Sequence, residues 1–235
     1  IPIFSISSPS NDDDPENDTF IFRSGYWVNG VWNTISDEYS IASDIAIDGE
    51  HIYITGSKLN SDNDMIPGYW LDGTWNSPNL AGTSISGNMI LDGGTVYQAG
   101  SYYNGSLYNP GYLAGTTWIQ ITDKLNPAAD SEGSCIAKNN LDIYVGGYSI
   151  DSDGHAKPVY WLNGNLFQLS LPEGMPYGQV CHICVMDGSL YIIGNVYNEK
   201  DFISGYWKDG QWKKLELPAE YTCPNSFIVS CCNAQ

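Results

Sequence analysis

Short apolar segments alternate with turn-forming dipeptides along almost the whole chain. Residues 44–47 form one such segment, Asp48-Gly49 follows it, and residues 51–55 form the next. Asp-Gly and Asn-Gly dipeptides between segments of this kind are a strong signal of a β-hairpin, because a type I′ turn needs two residues at positive φ. Long helical patterns are absent, so the sequence predicts an all-β chain.

One stretch recurs five times and divides the chain into units. Most copies read Gly-Tyr-Trp, any residue, Asn or Asp, and Gly, with an aromatic residue two positions later; their tyrosines are Tyr26, Tyr69, Tyr112, Tyr160 and Tyr206. These tyrosines are 43, 43, 48 and 46 residues apart. Unit three departs from the pattern at Leu113 and unit four at Leu166. A self-similar unit of this length is typical of a repeat architecture.

Each unit is predicted to contain four strands. In the second unit they are 44–47, 51–55, 68–71 and a strand that begins at Thr74. The first unit lacks the opening strand, since its residues 20–23 match 52–55 of the second unit.

The missing strand is found at the other end of the chain, where residues 220–229 align with residues 38–47. A unit that is split between the two termini closes a ring, whereas an open solenoid needs polar caps. We therefore predict a five-bladed β-propeller with four antiparallel strands per blade, closed by a C-terminal strand that joins the N-terminal blade.

The repeated unit, with its Ile/Val-Tyr-Val-Gly type of strand followed by Tyr-Trp, one further residue, Asn/Asp and Gly, resembles repeats in uncharacterised secreted or surface-displayed β-propeller proteins of Bacteroidetes-like bacteria. The resemblance covers about residues 20–232. It implies a repeat type and a secreted, periplasmic or cell-surface location, and it implies no activity.

Composition and charge limit the classes of molecule that the protein is expected to bind. Residues 1–18 include Asp12-Asp13-Asp14-Pro15-Glu16 and are predicted to be a flexible acidic leader, ahead of a single domain over residues 19–235. The net charge of −18 repels phosphate backbones, so nucleic acid is not an expected partner. No apolar segment is long enough to cross a membrane. We expect a monomer, and the start at Ile1 suggests a removed signal peptide.

Aromatic residues are abundant, with 8 Trp and 17 Tyr. All eight tryptophans fall at repeat positions, which favours packing between blades over ligand binding. The connections predicted to be long (57–67, 101–110, 148–158 and 195–204) would lie on one face, where binding residues tend to occur. Six tyrosines outside the repeat positions are the candidate ligand-binding residues: Tyr102, Tyr103, Tyr108, Tyr148, Tyr177 and Tyr197.

Catalytic and metal-binding patterns are weak. With only three histidines, no triad or metal-protease spacing is visible. Asp151-Ser152-Asp153-Gly154 resembles part of a calcium loop but lacks the later Glu, and a simple turn is favoured. Cys181-His182-Ile183-Cys184 lies in a predicted strand, where residues three apart point to opposite faces. We therefore predict no metal and no cofactor.

Cys181 and Cys223 start the first strands of two blades that would be neighbours in the closed ring. If the protein is exported, we predict a disulfide between these two residues, although six free cysteines are the alternative.

Three functional hypotheses remain. The first is a secreted or surface-displayed propeller that binds a glycan or a protein through the face with the long connections. The second is a glycan hydrolase or lyase with carboxylates near the central channel, and the third is a structural or interaction module of a surface assembly. No residue pair nominates a catalytic site, so the sequence favours binding over catalysis.

Overall fold

The computed structural model describes residues 8–10, 21–78, 80 and 82–216. This part of the chain contains β-strands and no helix, and therefore no helix that could cross a membrane. In chain order the strands are β1 (Ser8–Ser10), β2 (Ile21–Arg23), β3 (Gly25–Val28), β4 (Val31–Thr34), β5 (Ser40–Asp48), β6 (His51–Leu59), β7 (Met65–Leu71), β8 (Thr74–Asn76), β9 (Thr83–Asp92), β10 (Thr95–Tyr103), β11 (Tyr108–Ala114), β12 (Thr117–Gln120), β13 (Ser131–Asn139), β14 (Asp142–Ile150), β15 (Ala156–Leu162), β16 (Asn165–Gln168), β17 (Tyr177–Met186), β18 (Ser189–Tyr197), β19 (Phe202–Lys208) and β20 (Gln211–Lys214).

Each repeat unit forms one blade. Units two to five are complete antiparallel sheets in which consecutive strands are neighbours, and we call them blades 2 (β5–β8), 3 (β9–β12), 4 (β13–β16) and 5 (β17–β20). The first unit contributes the pairs β1–β2 and β3–β4, which we call blade 1. The chain is thus all-β with five blades, as the repeat predicts.

The turns between third and fourth strands have the predicted conformation. Asn29, Asp72, Asn163 and Asp209 have φ values of 49°, 49°, 52° and 50°, and each is followed by a glycine at positive φ. Asn, Asp and Gly tolerate this left-handed region better than other residues do, which is why these dipeptides recur in the sequence.

Blade 1 corrects one sequence alignment. Ile21–Arg23 pairs with Ser8–Ser10, and only Ser24 separates it from β3. The Ser24 carbonyl accepts the Ile35 N–H, just as the Pro110 carbonyl of blade 3 accepts the N–H that follows its fourth strand. Residues 21–28 therefore form the third strand of blade 1, and the match of 20–23 with a second strand was wrong because no connection fits into one residue.

Ser8–Ser10 takes the position of the end of a second strand, although it lies in the predicted acidic leader. The other residues of that leader lie outside the described residues, so the boundary between residues 18 and 19 stays a prediction. The predicted closing strand near residues 220–229 also lies outside them.

The first strands β5, β9, β13 and β17 contact one another around the centre of the molecule. Each carries a β-bulge in its pairing with the second strand, at 42–44 in blade 2, opposite 98–100 in blade 3, at 133–135 in blade 4 and at 180–182 in blade 5. A bulge leaves backbone groups unpaired within the sheet and re-aims the neighbouring side chains.

The tryptophans of the third strands form the core, as predicted. Trp70, Trp161 and Trp207 are 2%, 0% and 0% exposed. The Trp161 indole N–H donates to the Asp123 carbonyl at 2.7 Å and the Trp207 indole N–H donates to the Ser170 carbonyl at 2.7 Å. Both carbonyls belong to the linker that leads from the preceding blade, so these indoles fix one blade against the next.

The prediction does not hold equally for all eight tryptophans. Trp32, Trp75, Trp118 and Trp212 of the fourth strands are half-buried. Each covers a third-strand glycine, where an added Cβ would lie within 3 Å of the indole. These four rings pack on the flank of their own blade. Trp27 of blade 1 is also half-buried.

Candidate functional site

The two ends of the blades differ in what they carry. The turns between strands one and two and between strands three and four lie at one end, which we call the hairpin face. The turns between strands two and three and the links between blades lie at the other, which we call the linker face. This arrangement follows from the antiparallel order within every complete blade.

The long connections predicted on the linker face are mostly strand, because β6, β10, β14 and β18 each extend to the turn. The remaining turns cover only residues 60–64, 104–107, 151–155 and 198–201. In each turn the first side chain accepts two backbone N–H groups, and these residues are Asn60, Asn104, Asp151 and Asn198. Such Asx turns are compact and preorganised. The connections between second and third strands are therefore compact turns rather than long loops.

The residue before each of these turns and the residue after it form a cross-strand pair, and in two blades both residues are aromatic. Tyr103 is paired with Tyr108 in blade 3, with ring centroids 5.0 Å apart and an interplanar angle of 43°. Tyr197 is paired with Phe202 in blade 5, with centroids 5.9 Å apart and an angle of 18°. The same pair of positions is Leu59 with Met65 in blade 2 and Ile150 with Ala156 in blade 4.

Three of the four rings are among the most exposed large hydrophobic side chains of the described residues. The exposed fractions are 41% for Tyr103, 39% for Tyr108 and 41% for Phe202. The fourth strands of these blades, β12 and β20, pair with 111–114 and 205–208, so within the described residues no strand pairs with the outer side of Tyr108 or Phe202.

Tyr177 and Tyr197 belong to the same row as Phe202. Tyr177 stacks on Tyr197 with centroids 5.4 Å apart, and His155 meets Tyr177 edge-on at 5.0 Å. Tyr197 is therefore enclosed between two rings. Tyr177 and Tyr197 support the row, and Phe202 presents its free ring face.

Tyr148 is held by an acid. Its hydroxyl donates to Glu132 Oε1 at 2.5 Å, across the first two strands of blade 4. Burial raises the pKa of Tyr148, and the hydrogen bond to Glu132 and the charges of Glu132 and Asp130 raise it further. Tyr148 stays protonated and positions Glu132. Tyr102 is half-buried against Gly82 and offers less surface than Tyr103.

The centre of the molecule contains a cavity of about 180 Å³, lined by the four first strands. Its polar lining residues are Asp44, Asn88, Lys138 and His182. Asp44 accepts the N–H of Ile45 at 2.8 Å and that of the neighbouring blade's Met89 at 2.7 Å.

Asn88 repeats this interaction one blade further, since its side chain accepts the Ile136 N–H and donates to the Ile136 carbonyl. Lys138 is bound to Asp92. Three of the four polar groups of the cavity thus tie backbone segments and hairpins together.

Burial sets the direction of the pKa shifts of the ionisable residues Asp44 and His182 in the cavity. Burial raises the pKa of Asp44, while the two backbone hydrogen bonds and His182 act to lower it. Burial lowers the pKa of His182, and Asp44 opposes part of that shift. His182 is therefore a neutral imidazole at neutral pH. Asp44 is the single carboxylate that lines the cavity within the described residues.

The calcium-like segment forms a turn, as favoured. Asp151, Asp153 and His155 bring ligand atoms within 4.8 Å of one another. Asp151 Oδ1 already accepts two N–H groups, and its other oxygen lies 3.5 Å from Lys157 Nζ. Lys157 pairs with the negative charge of Asp151 that a bound cation would need. These contacts give the carboxylates a structural role.

The predicted Cys181–Cys223 disulfide stays a prediction, because Cys223 lies outside the described residues. Cys181 is the bulged residue of β17, and its sulfur accepts the Asn195 side-chain N–H at 3.3 Å. Cys135 and Cys184 are buried thiols outside any disulfide, as expected, and burial raises the pKa of Cys135 far above its usual range.

Sequence reasoning missed Phe202 and Glu132 as site residues, and it considered His182 only as part of the Cys181-His182-Ile183-Cys184 segment. Phe202 had a usable signal, since it follows its turn at the position that Tyr108 takes in blade 3. Glu132 had none, because its partner Tyr148 comes from another strand.

No protein-family model matches the sequence, and no protein of curated function matches it. Solved structures that align with the chain include a fucose lectin from Kordia zhangzhouensis in complex with methyl-fucoside (15% identity, TM-score 0.38, 55% of this chain and 99% of that chain). They also include the SapL1 lectin in complex with alpha methyl fucoside (14%, 0.45, 83% and 72%) and a thermostable family-43 glycoside hydrolase (14%, 0.44, 88% and 89%). At these TM-scores the alignments assign no function to the chain.

Proposed function

We propose that this protein is a carbohydrate-binding propeller that uses its linker face and has no catalytic activity. The observation that carries the proposal is the aromatic pair at one repeat position in blades 3 and 5. Each pair leaves part of its ring surface exposed on a rigid scaffold, and the apolar face of a sugar ring packs well on an exposed aromatic ring.

Two neighbouring features support the proposal. The Asx turns hold the rings at fixed positions, which limits the entropy lost on binding. Polar groups suited to sugar hydroxyls lie next to the Tyr108 backbone, because Asp130 Oδ1 accepts the Tyr108 N–H at 2.8 Å and Lys124 donates to Asn109 Oδ1 at 3.2 Å.

A glycan array with the purified protein tests the proposal, with Tyr103→Ala and Phe202→Ala as variants. We expect binding that both variants weaken. The matched control is Phe167→Ala, which removes a ring that is 44% exposed on the fourth strand of blade 4, away from the aromatic pairs. Binding that both site variants leave unchanged would contradict the proposal.

Hydrolysis or lysis of a glycan is the second candidate, because a cavity with Asp44 and His182 lies at the centre. Glycosidases generally need two carboxylates about 5–10 Å apart. Within the described residues the cavity supplies one, and both of its oxygens accept backbone N–H groups. Release of reducing sugar from a bound polysaccharide, lost in Asp44→Asn, would establish the enzyme instead. A protein that serves only as a structural or interaction module would bind no glycan on the array and would release no sugar from a polysaccharide.

We also propose that a C-terminal strand closes the ring and that the monomeric protein acts outside the cytoplasm. The first strands of blades 2 to 5 contact one another in succession, which supports a ring-like arrangement of the blades. Deleting residues 220–235 would expose strand edges, which template aggregation. We expect loss of cooperative unfolding, whereas a truncated monomer that melts normally would rule out the closed ring.

A further inference from the structure

The two aromatic pairs are joined by a continuous strip of contacts on the linker face. The strip begins at the Tyr103–Tyr108 pair, and the Tyr108 N–H donates to Asp130 Oδ1 at 2.8 Å. The Asp130 carbonyl in turn accepts the N–H of Ile150, the residue at which β14 ends. Blade 3 is thereby connected to the turn of blade 4.

The strip continues from blade 4 into blade 5. The turn after Ile150 places His155 edge-on to Tyr177, with ring centroids 5.0 Å apart. Tyr177 stacks on Tyr197, and Tyr197 stacks on Phe202. We call the whole strip the linker-face track; Tyr103 and Tyr108 form one end, Asp130 and Glu132 the middle, and Tyr197 and Phe202 the other end.

The middle of the track carries the carboxylates of Asp130 and Glu132, which form no ion pair among the described residues, while the charge of Lys124 acts on Asp130 from a greater distance. Glu132 accepts the neutral Tyr148 hydroxyl, and Asp130 accepts a backbone N–H. Among the described residues no Lys, Arg or His nitrogen lies within 4.0 Å of either carboxylate, whereas Asp151 nearby is paired with Lys157. Both residues are half-buried, so solvent screens them incompletely.

We propose that the linker-face track binds one extended glycan chain whose sugars carry protonated amino groups. Sugar rings stack on Tyr103–Tyr108 at one end and on Phe202 at the other, and ammonium groups pair with Asp130 and Glu132 between them. The inference rests on the proposed carbohydrate binding and names its ligand class. Acidic glycans are repelled by the same carboxylates and by the net charge of −18.

Chain length is the first readout. Two ends that hold one ligand make the second contact intramolecular, so affinity rises steeply once the ligand reaches both. We expect a series of chitosan oligosaccharides from disaccharide to hexasaccharide to show such a rise by calorimetry. Phe202→Ala and Tyr103→Ala each lower hexasaccharide affinity by about tenfold or more and disaccharide affinity much less. Phe167→Ala, the matched control, changes neither.

Charge is the second readout, and chitin oligosaccharides of the same lengths isolate it because they differ only by N-acetylation. We expect the amino form to bind more tightly, with an advantage that shrinks as salt rises. Glu132→Gln removes the charge and keeps an acceptor for the Tyr148 hydroxyl, so it reduces this advantage while thermal stability is retained.

The outcomes separate the two proposals. Equal affinity for disaccharide and hexasaccharide, or equal affinity for the amino and acetylated forms, overturns the inference. Binding of a different glycan on the array, with no affinity for chitosan, also overturns it but leaves the proposed function standing. The absence of any glycan binding overturns both.

Discussion

Aromatic rings occupy two regions of this protein with opposite consequences. Trp70, Trp161 and Trp207 are almost fully buried, and two of these indoles donate to the carbonyl of a linker. Tyr103 and Phe202 belong to cross-strand aromatic pairs at equivalent places in blades 3 and 5, yet each is 41% exposed. The difference is whether a neighbouring blade or strand covers the ring. Aromatic rings therefore form the core where a neighbouring blade covers them, and they form a candidate binding surface where nothing described covers them.

The largest expected effect tests the buried side of this comparison. Trp70→Ala removes an indole that is 2% exposed and should lower the free energy of unfolding by about 3–5 kcal/mol, because the cavity left between blades collapses only partly. Urea denaturation measures it. An unchanged melting curve would mean that Trp70 is exposed, and the distinction between the two regions would fail.

Blade 3 offers an intermediate case, since Leu113 replaces the tryptophan and the paired residue is Gln98. Gln98 is fully buried, and within the described part of the chain neither its side-chain oxygen nor its nitrogen has a hydrogen-bond partner. The equivalent residues of blades 2 and 5 are Ile54 and Ile192.

Gln98→Ile should stabilise the protein by about 1–3 kcal/mol, the usual cost of an unsatisfied buried polar group. Thermal melting of the variant and of Ile54→Val, a mild control that should destabilise, checks the sign. Destabilisation by Gln98→Ile would indicate that the amide has a partner, such as a buried water.

The exposed side of the comparison predicts a smaller effect. Tyr103→Ala should change the free energy of unfolding by less than ~1 kcal/mol, because its ring contacts mainly Tyr108 and solvent. Chemical denaturation and glycan binding measured on the same sample separate the two roles. A loss of stability comparable with that of Trp70→Ala would show that Tyr103 is a core residue and would contradict the prediction.

The smallest expected effect is the dependence of stability on pH at the buried centre. Burial lowers the pKa of His182 below 6.5, so the unfolded chain binds this proton more readily than the folded one. Stability should therefore fall as the pH drops from 6.5 toward the lowered value. His182→Gln should flatten melting temperature against pH in that window, and an identical profile would show that His182 is solvated.

Sequence patterns predicted the all-β fold, the five units and the core role of the third-strand tryptophans. Those features depend on local chemistry: Asn-Gly and Asp-Gly set the turns, and strand alternation sets the buried rings. The candidate tyrosines Tyr103 and Tyr108 were also named from the sequence, and their ligand-binding role stays a prediction. The assignment of residues 20–23 was wrong because strand identity depends on the pairing partner, which is Ser8–Ser10.

The sequence by itself determined the repeat, the turn positions and the excess of negative charge. Only the tertiary structure decided which aromatic rings are covered, because the outer strands β12 and β20 end before they reach Tyr108 and Phe202. It also brought Asp130 to Tyr108 and Glu132 to Tyr148, pairs that are 22 and 16 residues apart. Contacts between strands and between blades depend on register and bulges, and no local pattern encodes them.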